Sequence, residues 1–205
     1  MKPIFSRGES IDKMAFMNWR MHGESTGSYF MNLAEGYLSS AIILAKQCLI
    51  NNRDKKADIL IFPILANANH GIELYLKAII WMLSSPSKLP RKIERTHDIE
   101  RLFQAVRSTI KSLGGPDELK AFEEGMVELA SYIEELMPKI NATATHNKMD
   151  FARYPISLNN ENHFYVDILE NVEVDLENFV KRFEIINDKL RSVGDHVYER
   201  SGDQD

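Results

Sequence analysis

The chain has 205 residues and a formal net charge of −5, and 44% of its residues are hydrophobic and 27% charged. This length suits one domain with a single core, and the composition is ordinary for a soluble globular protein. The acidic balance argues against a broad nucleic-acid-coating surface, the lone Cys48 excludes an intramolecular disulfide, and no uninterrupted apolar run approaches the roughly 18 residues that span a bilayer. We therefore expect a cytoplasmic protein without a membrane anchor.

The first half of the chain predicts an arm followed by two long helices. Residues 1–24 mix charges and aromatic side chains without a clear period, which favours an arm packed on the body. Apolar residues recur at helical spacing over residues 28–51. A second helix is predicted over residues 61–84, with Pro63 in its first turn. Because apolar residues cover most of its circumference, we expect this helix to be central and buried.

The second half predicts three more helices and a small hairpin. Helices are expected over residues 98–113, 117–137 and 174–193. The breaks between them are assigned to Gly114-Gly115-Pro116 and Pro138, and Gly194 is expected to end the last helix. Between the last two helices, two short β-type runs flank a turn-rich segment, which predicts a β-hairpin near residues 151–166. Residues 199–205 are expected to form a polar tail. The predicted fold is thus a single all-α domain over residues 1–205, with about five helices.

A polar stripe interrupts the apolar second helix. His70, Glu73 and Lys77 are separated by steps of three and four residues, which places them on one helix face. Buried charges are costly unless they are paired. The stripe is therefore either a structural network or, together with His97 and Arg153, a polar pocket whose acid and base groups have tuned pKa values.

Two further segments carry candidate binding residues. His97 and Asp98 lie where a loop enters the third helix, so Asp98 is expected to cap that helix, and His97 could face a ligand. Arg153 and Tyr154 combine a planar cation with an aromatic ring. The arginine suits a carboxylate or phosphate contact, and an internal partner is an equal alternative.

The sequence contains no signature of a metal or cofactor site. It has neither a phosphate-binding glycine loop nor a nucleophile elbow, and its histidines and single cysteine lack zinc spacing. We therefore expect no metal and no cofactor. The most basic stretch, residues 88–111, is either a solvated helix face or a contact for an RNA backbone.

Three segments, in order, resemble the HEPN-like family of bacterial helical-bundle proteins. The third helix begins with His97-Asp98-Ile99, which resembles the family's "HDL" segment, and Asp150 followed by Arg153-Tyr154-Pro155 resembles its "D..RYP" segment. The central helix contributes a longer run that resembles the family's central-helix signature: Asn69-His70-Gly71-Ile72-Glu73-Leu74-Tyr75-Leu76-Lys77-Ala78.

The resemblance implies a helical bundle that usually dimerises. Many HEPN proteins are metal-independent ribonucleases of defence systems, whereas others only bind RNA or proteins. The active ones use an arginine followed, after four to six residues, by a histidine. This chain offers Arg91 with His97, and Arg191 with His196, but neither pair starts a helix as the family's motif does.

Three functions follow as expectations. The first is a defence- or stress-linked protein that binds RNA or nucleotides without a clear catalytic motif. The second is a metal-independent endoribonuclease, and the third is a structural protein-interaction module. We also expect a homodimer formed through residues 28–51 or 174–193, and a protein partner encoded nearby.

Overall fold

The chain folds into a bundle of five α-helices among the residues described by the structure, a computed structural model. These are residues 1–21, 25–84, 95–142, 148–157, 159–166 and 168–201. The all-α expectation of about five helices is confirmed. The helices are α1 (Thr26–Ile50), α2 (Ala57–Ser84), α3 (Ile99–Gly125), α4 (Val127–Asn141) and α5 (Leu176–Ser201), and short 3₁₀ turns occur at Ile11–Lys13 and Lys148–Ala152.

The second helix, α2, lies at the centre of the bundle. It packs against α1, α3 and α5, and most of its residues from Ala68 onward are buried. Gly71 permits the close approach of α1, because a Cβ atom at this position would lie 2.9 Å from the backbone nitrogen of Leu38. The apolar circumference of α2 therefore predicted its central position correctly.

The start of α2 differs from the prediction. The helix begins at Ala57, whose N–H donates to the side-chain oxygen of Asn52, and Pro63 lies inside the helix rather than in its first turn. The expectation for Pro63 was wrong because the helix starts about one and a half turns before it: the polar residues 52–56 form a turn, and residues 57–62 are already helical. A proline inside a helix removes one backbone hydrogen bond, and this cost is met here within a long, well-packed helix.

The predicted breaks in the second half are found in altered form. Gly115 has a non-helical φ of 78° and ψ of −168°, so α3 consists of two helical segments that meet at a kink where a break was expected. Met126, with non-helical φ and ψ of −103° and 17°, separates α3 from α4 and so divides the helix expected over residues 117–137. Pro138 and Gly194, which were expected to end helices, both lie inside helices. The expectations for both residues were wrong because the packed apolar faces of α4 and α5 extend beyond them.

The predicted hairpin near residues 151–166 is reduced to one antiparallel bridge between Ile156 and Asn162. The backbone N–H of Ser157 donates to the carbonyl of Glu161 at 2.9 Å. Among the described residues, the segment forms no strand beyond this single bridge. Instead, the Tyr165 hydroxyl donates to the carbonyl of Phe151 at 2.8 Å. This bond holds the segment against the 3₁₀ turn that precedes it.

Two helices, α1 and α2, are long and apolar enough to cross a membrane by length and composition alone. This is weak evidence, because the core helix of a soluble bundle passes the same test. Half of the apolar window in α2 is buried inside the bundle.

Candidate functional site

A buried carboxylate on α2 is the centre of the candidate site. Glu73 is only 3% exposed. Its Oε1 accepts a 2.8 Å hydrogen bond from Nζ of Lys77 and lies 3.0 Å from Nδ1 of His97. Its Oε2 lies 3.3 Å from Nδ1 of His70. The structure therefore brings together four of the five residues of the predicted polar pocket, and the stripe on α2 is internally paired.

The surroundings of Glu73 keep it ionised. Burial alone would raise the pKa of this carboxyl, but the hydrogen bonds from His70 and Lys77, the charge of Lys77 and the hydrogen bond from His97 outweigh it and hold the pKa at about 2. At neutral pH the group is therefore an anion that only accepts hydrogen bonds.

The ionised carboxylate fixes the proton positions on both histidines. Since Glu73 cannot donate, Nδ1 of His70 and Nδ1 of His97 must carry hydrogens in these contacts. In neutral His97 the unprotonated nitrogen is then Nε2. The His97 side chain is 62% exposed, whereas that of Lys77 is only 10% exposed. His97 is thus an oriented, accessible imidazole in contact with a buried anion.

His97 lies on the wall of a groove of about 1070 Å³. The groove runs between the start of α3, the end of α4 and residues 149–157, and three arginines line it: Arg95, Arg101 and Arg153. Among the described residues, neither Arg95 nor Arg101 forms an ion pair. The groove therefore combines accessible guanidinium groups with an oriented histidine.

The remaining predicted binding residues also line this groove. Asp98 caps α3, because its Oδ1 accepts a 3.1 Å hydrogen bond from the N–H of Arg101. Arg153 lies 3.9 Å from Asp150 rather than beside Glu73, and its side chain is 39% exposed. Tyr154 is 59% exposed. Capping by Asp98 is thus observed, whereas Arg153 belongs to the groove and not to the buried network.

The two predicted arginine–histidine pairs lie in different places. Arg91 lies outside the described residues. Arg191 and His196 are exposed on α5, where Arg191 donates to Asp188 at 3.0 Å and Nε2 of His196 lies 3.4 Å from Arg200. Neither Arg191 nor His196 lines the groove. Within one chain, the described part of the structure thus brings His97, but not His196, to this groove.

A second polar cluster was not predicted from the sequence. The Tyr75 hydroxyl donates to Glu35 at 2.8 Å, and the Asn187 amide lies 3.3 Å from the same carboxylate. Burial, the hydrogen bond to Glu35 and the charge of Glu35 raise the pKa of Tyr75, which stays protonated. The sequence contains one indication of this cluster, because Asn187 is a polar residue at a core position of α5. The cluster joins α1, α2 and α5.

The described residues include no group of three or more histidine, cysteine or acidic side chains that could hold a metal ion. The carboxylate of Glu73 is already occupied by three nitrogen donors. The groups at this site can form hydrogen bonds and ion pairs and can exchange protons.

No protein-family model, curated protein or solved structure matches the chain.

Proposed function

We propose that this protein is a HEPN-like helical module that binds RNA or nucleotides through the groove at the start of α3. The observation that carries this proposal is the convergence of Arg95, Arg101 and Arg153 on one groove, beside an exposed His97. Guanidinium groups bind phosphate oxygens in a bidentate manner, and several of them along a groove suit a phosphate backbone.

The groove is lined by as many acidic side chains as arginines, which favours phosphate binding by individual arginines rather than by a broadly positive surface. Three acidic residues, Asp98, Glu100 and Asp150, also line it. Asp98 is engaged in capping α3, and Asp150 lies at the long distance of 3.9 Å from Arg153. A phosphate can therefore compete for Arg153. The preceding stretch, residues 88–94, adds three basic residues and one acidic residue in sequence.

An exposed aromatic ring supports a nucleic-acid or nucleotide ligand over inorganic phosphate. Tyr154 follows Arg153 directly, lines the same groove and is 59% exposed. Aromatic side chains next to cationic groups bind bases by stacking, at roughly 1–3 kcal/mol per base. Arg153 and Tyr154 thus offer adjacent contacts for a phosphate and a base.

Binding of a fluorescein-labelled single-stranded RNA, followed by anisotropy, tests this proposal. We expect the double variant Arg101→Gln, Arg153→Gln to weaken binding by at least about tenfold, which corresponds to roughly 1.4 kcal/mol. Arg53→Gln is the matched control, because Arg53 is an exposed arginine in the α1–α2 connection outside the groove. Equal losses in the double variant and the control would reject the groove as the binding site.

A metal-independent ribonuclease is the second candidate function, and the Glu73–His97 contact favours it. This contact orients the imidazole and leaves Nε2 as its basic nitrogen. A general base in that position can take a proton from a ribose hydroxyl, while a neighbouring arginine stabilises the phosphate. His97 would thus act as general acid or base, and Arg101 or Arg153 would contact the phosphate.

RNA cleavage in the presence of EDTA tests this second candidate. We expect cleavage to continue without divalent metal and to be lost in His97→Ala. His196→Ala tests the alternative pair on α5. Cleavage that requires added Mg²⁺, or that survives both substitutions together, would reject the mechanism. RNA binding without cleavage would support the binding function and reject the nuclease function.

The interaction-module alternative has less support. A buried network of Glu73, Lys77 and Arg153 would favour it, but Arg153 is 39% exposed and lies beside Asp150. We also propose that the protein is cytoplasmic and linked to defence or stress. We further propose that it forms a homodimer and binds a protein partner encoded nearby. Exposed apolar side chains on α1 (Leu33, Tyr37 and Ile43) and Ile185 on α5 support a helical dimer interface. Sedimentation at micromolar concentration that gives only the 23.6 kDa species would reject the dimer.

A further inference from the structure

A second, smaller pocket lies on the other side of the 3₁₀ turn Lys148–Ala152. Its volume is about 300 Å³, and it opens between α4, α5 and the segment that precedes α5. Phe151 lines this pocket, whereas its neighbours Asp150 and Met149 line the groove described above. The two concave sites are therefore separate and share one short wall.

The inner wall of this pocket is aromatic. Tyr132 and Phe183 pack edge to face at 4.9 Å between ring centroids, and Phe179 stacks on Phe183 at 4.1 Å. Phe151 and Phe164 complete the wall. The four phenylalanine side chains are less than 7% exposed. Small-molecule sites are typically concave, apolar and of at least about this volume, with a few polar groups that select the ligand.

The rim of the pocket is acidic. Glu135, Glu173 and Asp175 lie on it, against two cations, Lys139 and Arg182. The guanidinium of Arg182 is held by two carboxylates, those of Glu128 and Glu135. It is therefore not available to an anionic ligand. Since Glu135 is held in the same pair, the charged groups left at the mouth are Glu173 and Asp175 against Lys139, and this excess of one carboxylate favours a positive charge on a ligand.

We propose that this pocket binds a small organic cation with an apolar body, of the arylalkylammonium class. The apolar body lies against the aromatic wall, and the ammonium group lies at the rim near Glu173 and Asp175. The observations that carry this assignment are the aromatic lining, the volume, the excess of carboxylates and the internal pairing of Arg182. It does not depend on the function of the groove.

Three probes that share a phenyl ring separate the effect of charge from that of shape. Phenethylamine carries a positive charge, phenylethanol is neutral and phenylpropionate is negative. Calorimetric titration of each probe into the full chain should show the tightest binding for the amine and the weakest for the acid. We expect a difference of about fivefold to tenfold between the two, the size of one partly screened charge interaction. No measurable amine binding, or equal binding of the acid, would overturn the proposal.

A charge reversal at the rim locates the effect. Glu173→Lys should weaken phenethylamine and strengthen phenylpropionate. Glu170→Lys makes the same charge change at an exposed position outside the pocket and should change neither by more than about twofold. Equal effects of both substitutions would mean a general electrostatic attraction and would overturn the assignment.

A measurement on the unaltered protein makes the test independent of how the variants fold. In NMR spectra of the wild-type chain, phenethylamine should shift the ring resonances of Phe179 and Phe183 at the concentration at which the calorimetric signal saturates. The ring of Phe103, buried among α3 residues outside the pocket, is the internal reference. Shifts confined to residues outside the pocket would overturn the proposal.

Discussion

Lys77 lies one helical turn after Glu73 on α2, and its ammonium group donates a 2.8 Å hydrogen bond to this buried carboxylate. Both side chains are nearly inaccessible, at 10% and 4% exposure. The pair is therefore an internal ion pair of the central helix. The same carboxylate also lies 3.0 Å from Nδ1 of His97, which lines the groove. The stability of the bundle and the orientation of His97 therefore both depend on Glu73.

Loss of the Glu73 charge should destabilise the fold strongly. Glu73→Gln leaves the buried ammonium of Lys77 without its counter-ion, which typically costs about 3–5 kcal/mol. Urea unfolding should show a loss of this size in the free energy of unfolding. Glu124→Gln removes an exposed partner of Lys120 at the same helical spacing and should have a far smaller effect. An unfolding midpoint of Glu73→Gln equal to that of wild type would contradict the buried ion pair.

The hydrogen bonds from His70, Lys77 and His97 to Glu73, with the charge of Lys77, make stability depend on pH in the acid range. The pKa of Glu73 is about 2 in the folded chain, against an ordinary value of 4.5. A lowered carboxyl pKa contributes stability that is complete above pH 4.5 and is lost as the pH falls from 4.5 towards 2. The contribution is about 3 kcal/mol. The difference in unfolding free energy between wild type and Glu73→Gln should therefore narrow over this range, and a constant difference would refute the assignment.

The close packing of α1 on α2 gives a prediction with a matched control. Gly71→Ala places a methyl group 2.9 Å from the backbone nitrogen of Leu38, so the helices must separate. We expect a loss of about 1–3 kcal/mol in unfolding free energy. Gly36 lies on the exposed face of α1, where an added methyl group would have no neighbouring atom within 4 Å, and Gly36→Ala should gain about 0.5–1 kcal/mol. Thermal unfolding of both variants checks the sign of each change.

The cluster at Glu35 predicts a measurable role for one hydroxyl group. Tyr75→Phe removes the 2.8 Å donor to Glu35 and leaves the half-buried carboxylate with weaker contacts. Hydrogen bonds to charged groups contribute about 1.5–3 kcal/mol, and partial exposure of Glu35 places the expected loss at the lower end. Tyr29→Phe, at a half-buried tyrosine of α1 outside the cluster, is the control. Equal stability of the two variants would show that the Tyr75 bond contributes nothing.

The sequence predicted the helices and the polar stripe because both depend on local spacing. The steps between His70, Glu73 and Lys77 place these residues on one face whatever the tertiary structure. The placement of Arg153 depends on the path of the segment between α4 and α5, which has no helical period, and its neighbour in the structure is Asp150 at 3.9 Å rather than the polar stripe. The partners of Glu35 come from two other helices, and such long-range contacts leave no local pattern.

Helix ends were the least predictable feature, and the reason is tertiary packing. Pro138 and Gly194 are strong local signals for a helix end, yet α4 and α5 continue through them. In each helix buried apolar residues follow the expected end: Ile140 in α4 and Val197 in α5. Burial of these side chains favours continued helix over the local preference.

The salt dependence of RNA binding tests the central claim most directly, because it counts phosphate contacts. The slope of log affinity against log salt concentration is negative, and each lost contact to single-stranded nucleic acid reduces its magnitude by about 0.7. If the groove binds the RNA backbone through Arg101 and Arg153, the magnitude of the slope should be smaller by about 1.4 in the double variant than in wild type. The slope of Arg53→Gln should equal that of wild type. An identical slope in the wild type and the double variant would contradict the proposed groove.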